Sequence, residues 1–77
     1  MDSFITSDLY LAGYLKAYGL AVIDYSRDTQ DPRRVNFFFE ETPRRKELHK
    51  AFYNGGLVEI RNFINAIKDL KSLTRNL

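Results

Sequence analysis

Apolar positions along the chain recur with two different periods, and the changes of period mark the elements. Leu11, Tyr14, Leu15 and Tyr18 stand at i, i+3, i+4 and i+7, which is one face of a helix. Thr6, Ser7 and Asp8 precede that run. Ser7 or Thr6 can accept a bond from a free amide of the first turn, and Asp8 suits the positive end of the helix dipole. Gly19 supplies a left-handed stop, so the spacing predicts a helix over about 7–18. Phe4 and Ile5, just upstream, suit either a short edge strand or an apolar staple for that helix, with the strand preferred.

The period then falls to two. Leu20 to Ser26 is β-branched and aromatic, with Ala21, Ile23 and Tyr25 on one side and Leu20, Val22 and Asp24 on the other. Val35 to Glu40 repeats the alternation, with Val35, Phe37 and Phe39 toward the core and Asn36, Phe38 and Glu40 turned away. The polar stretch from Arg27 to Arg34 carries no two-residue turn signal and reads as a long, mobile hairpin tip. Thr42 followed by Pro43 opens a second helix, because Thr caps and Pro fits the first helical position. It runs to about Tyr53 behind a narrow stripe of Leu48, Ala51 and Phe52, and Asn54, Gly55 and Gly56 stop it. The last helix spans roughly 58–74, with Ile60, Phe63, Ile64, Ile67, Leu70 and Thr74 on one face and Ala66 and Leu73 flanking.

These elements predict an α+β fold: a short N-terminal strand, a helix, a β-hairpin and two C-terminal helices packed on one face of a small antiparallel sheet. Residues 1–77 form a single domain, with no internal repeat or linker. Since a lone hairpin is marginal in water, a third strand from the Phe4 segment or a second subunit must complete the sheet. The face that carries Phe38 is left uncovered.

Composition changes the picture in three ways. At 44% hydrophobic and 14% aromatic, with six Phe and five Tyr, the chain is too apolar to be a disordered tail. The absence of Cys and the single His remove thiolate metal sites and cysteine nucleophiles. No apolar run approaches a membrane span, and Met1, Asp2, Ser3 lacks the basic start of a secretory signal, so a soluble, cytoplasmic protein is expected, with no membrane partner. The net charge of +2 conceals an asymmetry: residues 1–32 carry five Asp against Lys16 and Arg27, and residues 33–77 carry ten Lys or Arg against five acids. Such a division suits an anionic partner or charge pairing within a dimer.

The candidate chemistry follows from that asymmetry. Arg33, Arg34, Arg44, Arg45, Lys46 and Lys50 form a basic cluster at the hairpin and the start of the second helix, where cations oppose the helix dipole. Phosphates of a nucleic acid would reward it, with Tyr53 or Phe38 to stack on a base. Arg61, Lys68 and Arg75 add a stripe on the last helix. Tyr10, Tyr25 and Phe38 exceed what a core of this size needs and are candidate interface residues. His49 lies one turn from Arg45 and from Tyr53, yet no second group or pocket completes an acid–base site. Asp24, Asp28, Asp31, Glu40 and Glu41 gather around the hairpin without a metal-nuclease spacing and read as turn caps and helix-start charges. No catalytic, metal or cofactor residue is assigned, and no small-molecule substrate is identifiable.

The segment Thr6-Ser7-Asp8-Leu9-Tyr10-Leu11-Ala12-Gly13-Tyr14-Leu15 resembles the opening of a family of short bacterial and phage-type domains of unknown function. Phe37-Phe38-Phe39-Glu40 is similar to that family's second hairpin strand, Phe52-Tyr53-Asn54-Gly55 to its inter-helix turn, and Phe63, Asn65, Ala66, Lys68, Leu70, Lys71, Ser72 and Leu73 to its last helix. The resemblance implies the same architecture and brings no activity with it. The expected function is a small non-enzymatic interaction module, homodimeric or bound to another protein. The alternatives are a nucleic-acid-binding accessory protein using the basic cluster and a phage-type inhibitor of a host protein.

Overall fold

A computed structural model describes residues 2–75 and residue 77. The elements follow in the expected order: β1 (Ser3–Thr6), α1 (Leu9–Ala17), β2 (Val22–Arg27), β3 (Val35–Glu40), α2 (Pro43–Tyr53) and α3 (Ile60–Thr74). The strands form an antiparallel sheet in the order β1-β3-β2. The fold is α+β, and the Phe4 segment is the third strand that the hairpin needed.

The central strand is the most aromatic one. Phe37 and Phe39 point into the core, with Phe39 fully buried, while Phe38 points to the opposite face. β1 pairs Phe4 with Phe39 and Ile5 with Phe38, so the alternation of the two strands is in phase. On β2 a bulge between Val22 and Asp24 shifts the register: Val22 pairs with Phe39 and Tyr25 with Phe37, on the core side. The extra residue, Ile23, is exposed with Asp24. The alternation expected for this strand therefore fails at one place, where Ile23 and Tyr25 fall on opposite sides. The strand also starts at Val22 rather than Leu20, because Leu20 is used to end α1.

That ending is a Schellman turn. Gly19, at φ 94°, donates its amide to Lys16 O (2.9 Å), and Leu20 donates to Leu15 O (3.1 Å). Leu20 thereby packs against the core cluster that contains Leu15. At the other end, Asp8 rather than Ser7 or Thr6 is the cap: its Oδ1 accepts from Tyr10 N (2.9 Å) and Leu11 N (3.2 Å), and Thr6 Oγ1 accepts from Asp8 N. The helix consequently begins two residues later than the spacing suggested.

Helix α1 is the hub of the fold. Leu11 through Leu15 are all buried, a run that no single stripe explains. The helix is enclosed instead of half-exposed, with Leu11, Ala12 and Leu15 sharing one cluster with Phe37 and Phe39 from the sheet and Leu70 from α3. Gly13 permits the close approach of α3: a Cβ there would overlap Ile67 Cδ1 and lie 3.2 Å from Ile67 Cγ1. Leu48 and Phe52 of α2 pack against the same cluster.

Local signals also set the remaining ends. Thr42 Oγ1 accepts from Arg45 N (3.1 Å), with Pro43 opening α2 as expected. Gly56 N donates to Ala51 O (2.6 Å) to close the end of α2. α3 begins at Ile60 because the Glu59 carboxylate caps it, accepting from Asn62 N (2.6 Å). The hairpin tip is built from two Asx turns. Asp28 Oδ1 accepts from Gln30 N (2.9 Å) and Asp31 Oδ1 from Arg33 N (3.1 Å), with Asp28 N bonded to Arg34 O (3.0 Å) across its base.

Candidate interaction surfaces

The first turn of α2 holds a buried cation. Arg45 is only 7% exposed, and each of its three guanidinium nitrogens has a partner. Nε and Nη2 donate in parallel to the two oxygens of Glu41, both at 2.6 Å, and Nη1 donates to His49 Nδ1 at 2.9 Å. The guanidinium carbon also lies 4.0 Å from the centre of the Phe4 ring. The hydrogen bond from Arg45, together with its charge, holds the Glu41 carboxyl below the ordinary carboxylate range against a smaller opposing effect of burial. Because a guanidinium only donates, His49 Nδ1 is an acceptor here and the ring carries its proton on Nε2.

That cluster is the floor of a shallow groove of about 510 Å³ lined by Arg45, Lys46, His49, Lys50, Tyr53 and Asn54. The His49 ring sits between two others, 5.2 Å from Phe4 and 5.3 Å from Tyr53. Tyr53 is 67% exposed and also meets Phe52 edge-on at 5.1 Å. Among the described residues, Lys46 and Lys50 make no ion pair.

The six basic residues read from the sequence are thus divided among different tasks. Arg33 and Arg34 both pair with Asp31, at 3.2 and 3.6 Å, on the hairpin tip. Arg44 donates through Nη2 to Tyr18 O (2.9 Å), satisfying a carbonyl at the end of α1. Arg45 is turned inward. Only Lys46 and Lys50 present uncommitted charge to one groove. Two signals were legible beforehand, the i,i+4 relations of Glu41 to Arg45 and of Arg45 to His49; the stacking of Phe4 from β1 was not.

The three aromatic candidates also separate. Tyr10 is 62% exposed and lines a shallow apolar groove with Phe63, Ile64, Ile67, Lys68 and Lys71, between α1 and α3. Tyr25 is half-buried on the inner face of β2, where it packs against the core. Phe38 is half-buried on the outer face of the sheet, opposite Ile5 and next to the exposed Ile23. Sequence reasoning missed that α3 is more apolar than its packing requires. Ile60 (63% exposed) and Ile64 (43%) were expected in the core stripe, yet both are exposed, with Ile64 in the groove beside Tyr10.

A further polar knot holds the α2–α3 connection. The hydroxyls of Tyr14 and Tyr18 both donate to Leu57 O, the first at 3.4 Å. Burial, reinforced by the neighbouring Tyr18 hydroxyl, raises the Tyr14 hydroxyl above its ordinary pKa. Among the described residues no three His, Asp or Glu side chains are grouped to hold a metal ion, and no helix is long and apolar enough to cross a membrane.

Together these features define a small α+β domain whose distinctive surfaces are a basic aromatic groove on α2 and an apolar face between α1 and α3. The chain belongs to the family described as Domain of unknown function (DUF5659), which matches it over residues 1–76. No curated protein and no solved structure shows a significant match.

Proposed function

We propose that this protein is a small non-enzymatic interaction module of the cytoplasm that self-associates through its α1–α3 face. The observation that supports this reading is the excess width of the apolar face of α3. Ala66 and Leu70 are buried and Phe63 and Ile67 half-buried, which leaves Ile64, beside Tyr10, and Ile60, one turn earlier on the same face, without cover from the described residues.

A second copy is the occupant that the chain itself favours. Among the described residues eight buried apolar side chains form a small core for a domain with no disulfide, and self-association is a common remedy. The face also suits a two-fold contact. Its isoleucines, Ile60 and Ile64, lie in the N-terminal half of α3 and its lysines, Lys68 and Lys71, in the C-terminal half. An antiparallel docking of two such helices about Ile64 sets each copy's lysine stems over the other's Ile60, with the ammonium groups left in water at the rim. The outer face of the sheet offers less, since Ile5, Ile23 and Phe38 stand among Ser3, Asp24, Ser26, Asn36 and Glu40.

Light scattering tests the proposal. The wild type is expected as a dimer, and Ile64→Glu as a monomer with an unchanged circular dichroism spectrum. A wild type that stays monomeric at its highest soluble concentration refutes self-association. Dissociation by Phe38→Glu but not by Ile64→Glu would move the interface to the sheet.

A further inference from the structure

A second surface, independent of the self-association face, carries its own inference. We propose that the groove on α2 binds single-stranded nucleic acid, with Tyr53 as the stacking platform for a base and Lys46 and Lys50 as the phosphate contacts. His49 Nε2–H is the neighbouring donor.

Four observations converge on this ligand. First, the groove combines exposed ring surface with uncommitted charge. The Tyr53 ring is held by His49 at 5.3 Å and Phe52 at 5.1 Å, so its outer face is presented in a fixed pose. A preset ring lowers the ordering cost of stacking a base. Second, the bidentate capacity that a lone phosphate or carboxylate would use is already spent, because both oxygens of Glu41 occupy the Arg45 fork. What remains are two point charges one helical turn apart, about 6 Å along the axis, which suits successive phosphates of an extended strand. Third, α2 has no acidic residue in its first turn, and Arg44, Arg45 and Lys46 stand there against the dipole. Of these three, Arg45 is paired with Glu41 in the interior and Arg44 donates to Tyr18 O at the surface, so Lys46 alone has no partner among the described residues. Fourth, His49 lines the groove, and with its Nδ1 accepting from Arg45 the other ring nitrogen carries the proton and is a donor. Phosphate oxygens and base carbonyls accept from it equally well.

An acidic protein segment would use the lysines and leave the ring idle. A ring with flanking cations matches the alternation of base and phosphate in a single strand, which every sequence presents.

The test is fluorescence anisotropy of labelled oligothymidine over a salt series, beside an abasic strand of equal length and a duplex. Two phosphate contacts predict a slope of log K against log salt of about −1.4 for a single strand. Lys46→Ala combined with Lys50→Ala should bring that slope near zero. Tyr53→Ala should weaken binding on the order of tenfold or more with the slope unchanged. All three positions are exposed, and circular dichroism verifies that each variant is folded. The proposal is overturned by absence of binding at low salt, by equal affinity for the abasic strand, or by affinity that depends on Arg33 and Arg34 in place of Lys46 and Lys50. Preference for the duplex over the single strand would overturn it equally.

Discussion

Gly56 offers the sharpest test of how the α2–α3 connection is built. A Cβ at this position would collide with Tyr14 Oη and would stand 2.6 Å from Ala51 O and 2.9 Å from the Ala51 carbonyl carbon. The tyrosine hydroxyl can swing aside, but only by giving up its bond to Leu57 O. The Ala51 carbonyl cannot move without opening the 2.6 Å bond from Gly56 N that closes α2. Losing that hydrogen bond costs about 1 kcal/mol, overpacking adds about 1–3 kcal/mol, and the stiffer unfolded chain returns about 0.4–1 kcal/mol. Gly56→Ala should therefore destabilise the fold by roughly 1–3.5 kcal/mol, at about 4–8 °C of melting temperature per kcal/mol for a domain of this size. Urea unfolding followed by circular dichroism measures it, and an unchanged m value shows that the denatured state is not the cause. Tyr14→Phe removes one of the two obstacles, so the double variant should show a coupling of about 0.5 kcal/mol or more. A neutral or stabilised Gly56→Ala, or strict additivity with Tyr14→Phe, would refute the steric argument.

Two further outcomes follow from the polar contacts. Asp8→Ala should cost about 0.5–2 kcal/mol and Ser7→Ala almost nothing, since Asp8 supplies the bonds to Tyr10 N and Leu11 N; equal effects in chemical denaturation would contradict that assignment. The Glu41 carboxyl has a lower pKa folded than unfolded, so its pairing stabilises the protein above the ordinary carboxylate range and is lost as pH falls through the depressed value. The unfolding midpoints of wild type and Glu41→Gln should accordingly differ at neutral pH and converge in acid, and parallel curves would show that the pair contributes nothing.

Much of the architecture was legible because it rests on local chemistry. The alternation from Val35 to Glu40, the Thr42-Pro43 opening and the glycine stops after Tyr18 and Tyr53 each concern neighbouring residues, and each appears where the pattern put it. The site was less legible. Six basic residues close in sequence resembled one patch, yet Asp31, Tyr18 O, Glu41 and Phe4 claim four of them, and only the folded chain brings Phe4 and Tyr18 to α2.

By itself the sequence determined which segments are helix and strand, where β3 and α2 start and stop, and that Phe37 and Phe39 are core. Those properties depend on residues within a turn or a strand of one another, and period and capping encode them directly. Tertiary structure alone decided that Ile23 bulges outward, that Arg45 is buried over Phe4, and that Ile60 and Ile64 remain exposed on α3. A hydrophobic stripe states what a helix can bury, whereas the area actually covered depends on how closely its neighbour approaches. Here Gly13 brings α3 against α1 through Ile67, and that contact is too narrow to cover the whole stripe.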